Sequence, residues 1–308
     1  MLYQRVLITG ANGLLGQALV EKLTAEPDYY DVLATARDEQ AKFRGFSCGY
    51  TPLDITQPED VRQLIWDFSP DVVVHTAAMT HVDECETQRD LCWQTNVNAV
   101  EQIVRVCRSQ GVRLILLSTD FIFDGEQGPY DERARPNPIN FYGRSKLAAE
   151  NAARTLHPTL WTIVRTVLVY GTAQNLNRND IARWIIAQLR EGKPVRLVTD
   201  QWRTPTYVHD LAAGIESLIR YRKNGVWNLS GWEWHSVFEF GRIVAETLNL
   251  DPQLILPTDS TQFIQPAKRP LKSGLLVTRA AAELGYQPHA IPENIQDLVR
   301  RMQVIGKS

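Results

Sequence analysis

Short, wholly apolar runs alternate along the first half of the chain with longer stretches whose apolar residues recur every three or four positions. Residues 5–9 form a compact apolar run that reads as a strand, and residues 14–23 after it carry the spacing of an amphipathic helix. A second strand is predicted over 31–35. Pro58–Phe68 places Val61, Leu64, Ile65 and Phe68 on one helical face, and Val72–His75 is a further apolar strand. The alternation continues with a helix over 96–109, a strand over 112–118, a helix over 142–155 and a strand over 161–165. Apolar strands separated by helices build a parallel sheet covered on both faces, with right-handed crossovers. The predicted fold class is α/β, a doubly wound, Rossmann-like parallel sheet.

After about Gly171 the pattern loosens. Helices are predicted over 181–189 and 209–221, and short strands over 195–197 and 226–229. A helix over 237–248 follows, and a polar, proline-containing stretch, 251–270, then crosses to a last small helix near 278–284. We expect residues 1–171 to form the sheet domain and 172–308 to form mostly a smaller substrate-binding lobe. Segments at about 195–222 are expected to return to the first domain. Ligands of enzymes commonly lie between two such lobes.

Composition narrows the function classes. With 44% hydrophobic and 22% charged residues the chain has ample apolar surface to fold, so disorder is excluded as its main state. A net charge of −2 gives no overall field to hold nucleic acid or an anionic membrane, and no local basic patch replaces it. No apolar run approaches the roughly 20 residues that span a bilayer, and the short apolar run that leads into the glycine turn is not expected to act as a secretory signal. Cys48, Cys85, Cys92 and Cys107 contain no C-x-x-C pair, and the six histidines show no H-x-x-x-H spacing. Reduced thiols, a cytoplasmic location and no protein-held metal are therefore expected.

The first strand runs into Gly10, Gly13 and Gly16, and a helix follows at once. A tight turn at a helix N-terminus presents free N–H groups and the positive end of the helix dipole to an anion. The spacing is G-x-x-G-x-x-G, one residue wider than the G-x-G-x-x-G dinucleotide fingerprint. The end of the second strand should lie beside the adenosine ribose. Arg37 stands there, where a guanidinium can pair with a 2′-phosphate, so NADP(H) is favoured and NAD(H) is the alternative. A solvated surface arginine is the plain alternative for that residue.

Tyr142 and Lys146 are four apart on a predicted helix, so phenol and ammonium share a face. A nearby cation stabilises the phenolate and lowers a value that otherwise lies too high for acid–base work. The strand before that helix ends at Ser118, Thr119 and Asp120, and strand C-termini line the ligand crevice of a parallel sheet. A hydroxyl there can hold a carbonyl while the phenol protonates it. Y-x-x-x-K alone is common on exposed helices; the glycine turn, the strand-end hydroxyl and the Tyr/Lys pair carry weight together.

Further segments make the resemblance specific. Residues 53–56 (LDIT) resemble L-D-[IV]-[TS], residues 75–83 (HTAAMTHVD) resemble N-x-A-A-x-T-x-V-D, and Thr95, Asn96 and Val97 match T-N-V. Residues 118–125 (STDFIFDG) match S-T-D-[YF]-V-F-[DP]-G. Arg165, Thr166, Tyr170 and Gly171 match R-T-x-x-x-Y-G. Asp200, Gln201, Pro205 and Thr206 resemble D-Q-x-x-x-P-T, and Arg269 with Pro270 resembles the R-P of a C-terminal segment. From Val6 to about Tyr286 the chain resembles the extended short-chain dehydrogenase/reductase superfamily, and within it the dTDP-4-dehydrorhamnose reductases.

That resemblance implies an NAD(P)H-dependent reduction of a keto group on a nucleotide-linked deoxysugar. It implies Tyr142 as proton donor, Lys146 as its electrostatic partner and ribose ligand, and Thr119, more than Ser118, as the hydroxyl that orients the keto group. Gly10, Asn12, Gly13, Leu14 and Leu15 would surround the pyrophosphate. Asp54 and Ile55 would meet adenine, and Ala77, Ala78 and Met79 would lie along the nicotinamide. Asp120, Leu168 and Arg203 are placed at the substrate. The pattern departs from the rhamnose reductases at Phe121 and Leu168, where tyrosine and tryptophan are expected, and at Arg203, where glycine is frequent. Relatives suggest two other readings: a cofactor-binding regulatory protein like the regulatory subunit of methionine adenosyltransferase, or a nucleotide-sugar epimerase. Relatives also often form homodimers. Trp227, Trp232 and Trp234 are expected to pack the core rather than to bind sugar.

Overall fold

The computed structural model describes residues 3–176, 179–262 and 265–305. Along the chain, β1 (Gln4–Thr9), α1 (Leu14–Thr24), β2 (Tyr30–Ala36), β3 (Gly49–Pro52), α2 (Pro58–Phe68) and β4 (Val72–His75) come first. Two short helices, α3 (Val82–Thr87) and α4 (Arg89–Trp93), lead through one π-helical turn at Gln94–Asn98 into α5 (Ala99–Gln110). Then come β5 (Arg113–Thr119), α6 (Phe141–Ala153), β6 (Trp161–Thr166), β7 (Val169–Tyr170), α7 (Ile181–Arg190), β8 (Val195–Val198), β9 (Trp202–Arg203) and β10 (Thr206–Tyr207). The chain continues with α8 (Val208–Arg220), β11 (Gly225–Asn228), β12 (His235–Ser236), α9 (Val237–Thr247), β13 (Ile255–Thr258), α10 (Thr278–Leu284) and α11 (Ile291–Ile305).

Seven strands form one parallel sheet in the order β11-β6-β5-β4-β1-β2-β3. Side chains alternate across it, so Val6 and Ile8 of β1 enter one apolar layer and Leu7 enters the other. The first layer is completed by Leu19 and Leu23 of α1 and by Leu211, Ile215 and Leu218 of α8. The second is completed by Val61 and Ile65 of α2, Ile103 of α5 and Ala149 and Ala153 of α6. The strand order reverses between β1 and β4, which opens a crevice at their C-terminal ends. A third cluster joins Ile185 and Leu189 of α7, Leu197 of β8, Phe240 and Val244 of α9, and Ile255 of β13. β8 pairs with β13 in that cluster, whereas α8 packs on α1 and β11 forms the edge of the central sheet beside β6.

Several elements differ from the sequence expectation. The stretch 251–270 contains β13, whose Pro257 is tolerated because the pair it forms with β8 has only two strands. The last helix is α11, not the one near 278–284; it buries Ile291, Ile295 and Leu298 at helical spacing. β3 was not foreseen because an edge strand of pattern Gly-Tyr-Thr-Pro is half exposed and carries no apolar run. The helix expected from residue 96 begins as a wide π turn, which periodicity does not reveal. Trp227 is fully buried in the core, Trp234 stacks on Trp202 at 6.0 Å, and Trp232 is exposed.

Candidate active site

The three glycines at the first turn are there for space. Gly10 has φ +72°, and a Cβ on it would stand 2.7 Å from the Ala77 nitrogen. One on Gly16 would lie 2.3 Å from the Gly10 carbonyl oxygen. α1 can therefore begin hard against the end of β1, with the loop after β4 folded over it. Gly13 caps α1 without any side-chain acceptor, so its first N–H groups, including those at Leu14 and Leu15, face the crevice uncapped.

Asn12 is committed to the loop after β2. Its Nδ2 donates to Asp38 Oδ2 at 2.9 Å and its Oδ1 accepts from the Lys42 N–H at 2.9 Å. Lys42 also pairs with Asp38 at 3.1 Å, and the Asn12 bond is the largest cause holding that carboxyl below its usual range. Arg37, one residue past β2, is exposed and makes no hydrogen bond or ion pair among the described residues. Asp54 accepts from the N–H and hydroxyl of Thr56 in a tight turn, at 2.9 and 2.7 Å, and Ile55 beside it is buried.

The loop after β4 is clamped by a residue the sequence reading did not single out for the site. Asn96, in the π turn, accepts from the Met79 N–H at 2.8 Å and donates to the Met79 carbonyl at 3.0 Å. The same Nδ2 donates to Ser145 Oγ at 3.1 Å, so the loop carrying Ala77, Ala78 and Met79 is tied to α6.

α6 starts where Asn140 accepts from the Gly143 N–H at 2.8 Å and donates to the Lys268 carbonyl. Gly143 lets the helix close on the end of β5, since a Cβ there would sit 2.0 Å from the Phe121 carbonyl oxygen. Two turns along, Glu150 receives Arg165 at 3.0 and 2.9 Å and the Ser118 hydroxyl at 2.6 Å, all buried between helix and sheet. This pair sets the rotation of α6, and so aims Tyr142 and Lys146 at the crevice. Ser118 is thereby taken up. Thr119 is the hydroxyl acting on the Tyr142 phenol as a hydrogen-bonding partner.

Burial governs both reacting groups. It pushes the Tyr142 phenol well up, with the Thr119 hydroxyl as partial counterweight. Lys146 is not among the main groups acting on that phenol, so the lowering expected from the sequence is not seen. Lys146 is 4% exposed and burial pulls its ammonium down to about 8, Glu150 working against the fall. Beneath Tyr142 lie Cys85 and Cys92, both buried and adjacent to each other. Phe121 meets the Tyr142 ring edge-on at 6.0 Å.

Arg203 and Asp120 are held beside this group rather than aimed across it. Arg203 donates to the carbonyls of Trp202 at 2.7 Å, Leu271 at 3.1 Å and Pro270 at 2.7 Å. Its Nε lies 3.8 Å from Asp120, which Ser273 also bonds, and its guanidinium covers the Phe121 ring at 5.6 Å. Leu168 has φ +39° and packs against the cluster of Ile122, Phe123 and Val167.

With this geometry in place, comparison with known proteins is decisive. The RmlD substrate binding domain family matches residues 4–304. The chain belongs to this family. This RmlD-family chain is 35% identical to the dTDP-4-keto-6-deoxy-D-glucose reductase of Streptomyces niveus, with 86% of each chain covered. It is 31% identical to methionine adenosyltransferase 2 subunit beta of Mus musculus, over 88% of this chain and 80% of that one. The dTDP-4-dehydrorhamnose reductase of Bacillus anthracis, solved in complex with NADP, superposes with a TM-score of 0.86 at 31% identity, covering 97% of this chain and all of that one.

The residues of the RmlD-family chain fit a dinucleotide. The cradle at Gly10 and Gly13 is one a side chain would fill, and α1 opens uncapped upon it. The Lys146 ammonium is buried yet makes no hydrogen bond or ion pair among the described residues. Such a group calls for a polar ligand.

Proposed function

We propose that this protein is an NADPH-dependent reductase of a keto group on a dTDP-linked deoxysugar. The observation that carries the reading is the Thr119 hydroxyl acting on the Tyr142 phenol, one helical turn from the unpartnered Lys146, at the same C-terminal sheet edge as the Gly10 turn. Gly10, Gly13, Leu14 and Leu15 would hold the pyrophosphate, Asp54 and Ile55 the adenine, and Ala77, Ala78 and Met79 the nicotinamide side. Arg37 would take the 2′-phosphate. The bound cofactor supplies hydride. Thr119 orients the substrate oxygen, Tyr142 gives it a proton as charge develops there, and Lys146 holds the ribose and favours the phenolate left behind. Asp120 and Arg203 support the pocket wall, with Arg203 acting through the 270–273 segment.

Phe121 and Leu168 remove a phenol and an indole from the sugar side, so the pocket is less polar than in the rhamnose reductases. That difference, with the likeness to methionine adenosyltransferase 2 subunit beta, favours a cofactor-binding regulatory protein as the second reading. Division at 171/172, a homodimer and a cytoplasmic location belong to the same proposal; among the described residues no helix is long and apolar enough to cross a membrane.

Purified protein with NADPH and dTDP-4-dehydrorhamnose, followed by nicotinamide absorbance, tests the reading. Oxidation that stops in Tyr142→Phe supports the reductase. Tight NADPH binding with a flat trace for every dTDP-keto-sugar tried moves the assignment to the regulatory protein.

A further inference from the structure

Beside the candidate active site a buried ring nitrogen has no hydrogen-bond partner among the described residues: His75 Nε2. His75 ends β4 and is 2% exposed. Alternation along β4 sends Val72 and Val74 into the layer under α1 and α8 and Val73 into the layer under α5 and α6, so His75 follows Val73. Thr9 follows Leu7 to that same face, and its hydroxyl lies 2.8 Å from His75 Nδ1. On β5, Ser118 reaches this face and bonds Glu150, one turn of α6 beyond Lys146. Thr9, His75 and Ser118 thus form a polar row across the ends of three adjacent strands, and α6 lays Lys146 over it.

The imidazole is neutral: burial first, and the Lys146 charge second, pull it down to about 3. A neutral ring carries one proton. The Lys146 charge favours a ring lone pair turned toward it; with Nδ1 taken up by Thr9 Oγ1, that lone pair falls at Nε2 and the proton at Nδ1, donated to Thr9 Oγ1. The ring is then fixed at one nitrogen and offers an acceptor at the other, beside an ammonium that needs one.

We propose that His75 is a positioning residue for Lys146, its Nε2 accepting a hydrogen bond from the ammonium through one water. The bond keeps Lys146 protonated and aimed in surroundings that work against its charge. Three other titratable groups act on Lys146, namely Glu150 on its own helix and Cys92 and Cys85 from α4 and α3, and all three favour its proton. His75 is the contribution of β4. The proposal rests on the reductase reading and adds a residue to it.

NADPH titrations of the full chain from neutral to alkaline pH, read by energy transfer from its tryptophans, test it in wild type, His75→Leu, His75→Asn and Thr9→Val. Wild-type affinity should fall as Lys146 loses its proton. In His75→Leu that fall should move to lower pH by about one unit, the usual worth of a hydrogen bond to a charged group. His75→Asn, whose amide oxygen accepts in place of the imidazole, should stay with the wild type. Thr9→Val is isosteric, keeps the ring but frees it, and should shift in the same direction as His75→Leu; it carries the test if His75→Leu does not fold. Profiles of the folded variants that coincide with the wild type overturn the proposal, as does His75→Asn shifting as far as His75→Leu. A wild type that fails to bind NADPH at any pH removes the reductase reading instead, and this proposal with it.

Discussion

The Ser118 hydroxyl donates to Glu150 Oε1 across 2.6 Å, and that bond selects between two adjacent hydroxyls at the end of β5. Ser118 is spent in the core, whereas the Thr119 hydroxyl, which accepts from the Phe121 N–H at 3.2 Å and lies 3.1 Å from Asp120 Oδ1, acts on Tyr142. Thr119→Val should therefore lower kcat/KM by about 100-fold, the usual loss of one donor aimed at a developing oxyanion, with NADPH affinity unchanged. Thr119→Ser should retain most of the activity. Ser118→Ala should leave the kinetics alone and cost roughly 1–3 kcal/mol in urea unfolding, because Glu150 loses a buried donor.

Glu150 and Arg165 are the buried ion pair that fixes α6. Removing one partner of such a pair strands the other, so Arg165→Met should lower stability by roughly 3–5 kcal/mol. Burial pushes the Glu150 carboxyl up, but Arg165, Ser118 and Arg154 together hold it below its ordinary 4.5. A depressed carboxylate contributes stability that is complete above the unfolded value and lost as pH falls through the folded one. Wild-type stability should thus decline on acidification below about pH 4.5, and the acid limb of Glu150→Gln should be shallower. Urea midpoints across that range measure both.

Much of this was legible in the chain, for identifiable reasons. The strands of the central sheet are buried on both faces, so β1, β4 and β5 announce themselves as apolar runs, and the Gly10 turn falls where a strand meets a helix. Thr119, Tyr142 and Lys146 were found as a joint pattern. Asn96 was visible only as part of a motif; its clamp on Met79 depends on a π turn that no spacing predicts. The engagement of Arg203 with three backbone carbonyls could not be read either, because its partners at Trp202, Pro270 and Leu271 come together only through the 2-residue pairing of β9 with β12 and the crossing of the 270–273 segment. α11 is also legible, since Ile291, Ile295 and Leu298 keep helical spacing.

Arg37 is the proposed contact to the 2′-phosphate. Its guanidinium is exposed and without a partner among the described residues, while the neighbouring Asp38 is held by Asn12 and Lys42. Arg37→Ala should weaken NADPH binding by about 10- to 100-fold, as expected for loss of a charge-assisted contact to phosphate, and should leave NADH binding within twofold or so. Equal losses for both cofactors in parallel titrations would place Arg37 away from the 2′-phosphate.

Lys146 should show a trade between stability and function. Its folded value, about 8, lies below its ordinary 10.5 because burial disfavours the ammonium. A lysine depressed in this way destabilises the fold wherever it is carried protonated. The cost is complete below the folded value and fades as pH rises toward the unfolded one. Cofactor-free wild type should therefore gain stability from about pH 8 to 10.5 relative to Lys146→Met, which has no proton to lose there. At neutral pH the variant should be the more stable protein, by up to roughly 3 kcal/mol, since each tenfold loss of proton affinity on folding costs about 1.36 kcal/mol. The same variant should lose NADPH affinity and turnover, because the group that costs stability is the one proposed to meet the ribose. Urea unfolding at pH 7, with and without NADPH, separates the two effects: added NADPH should stabilise the wild type far more than Lys146→Met. A cofactor-free variant less stable than wild type would show that the groups around the ammonium outweigh the cost of its burial.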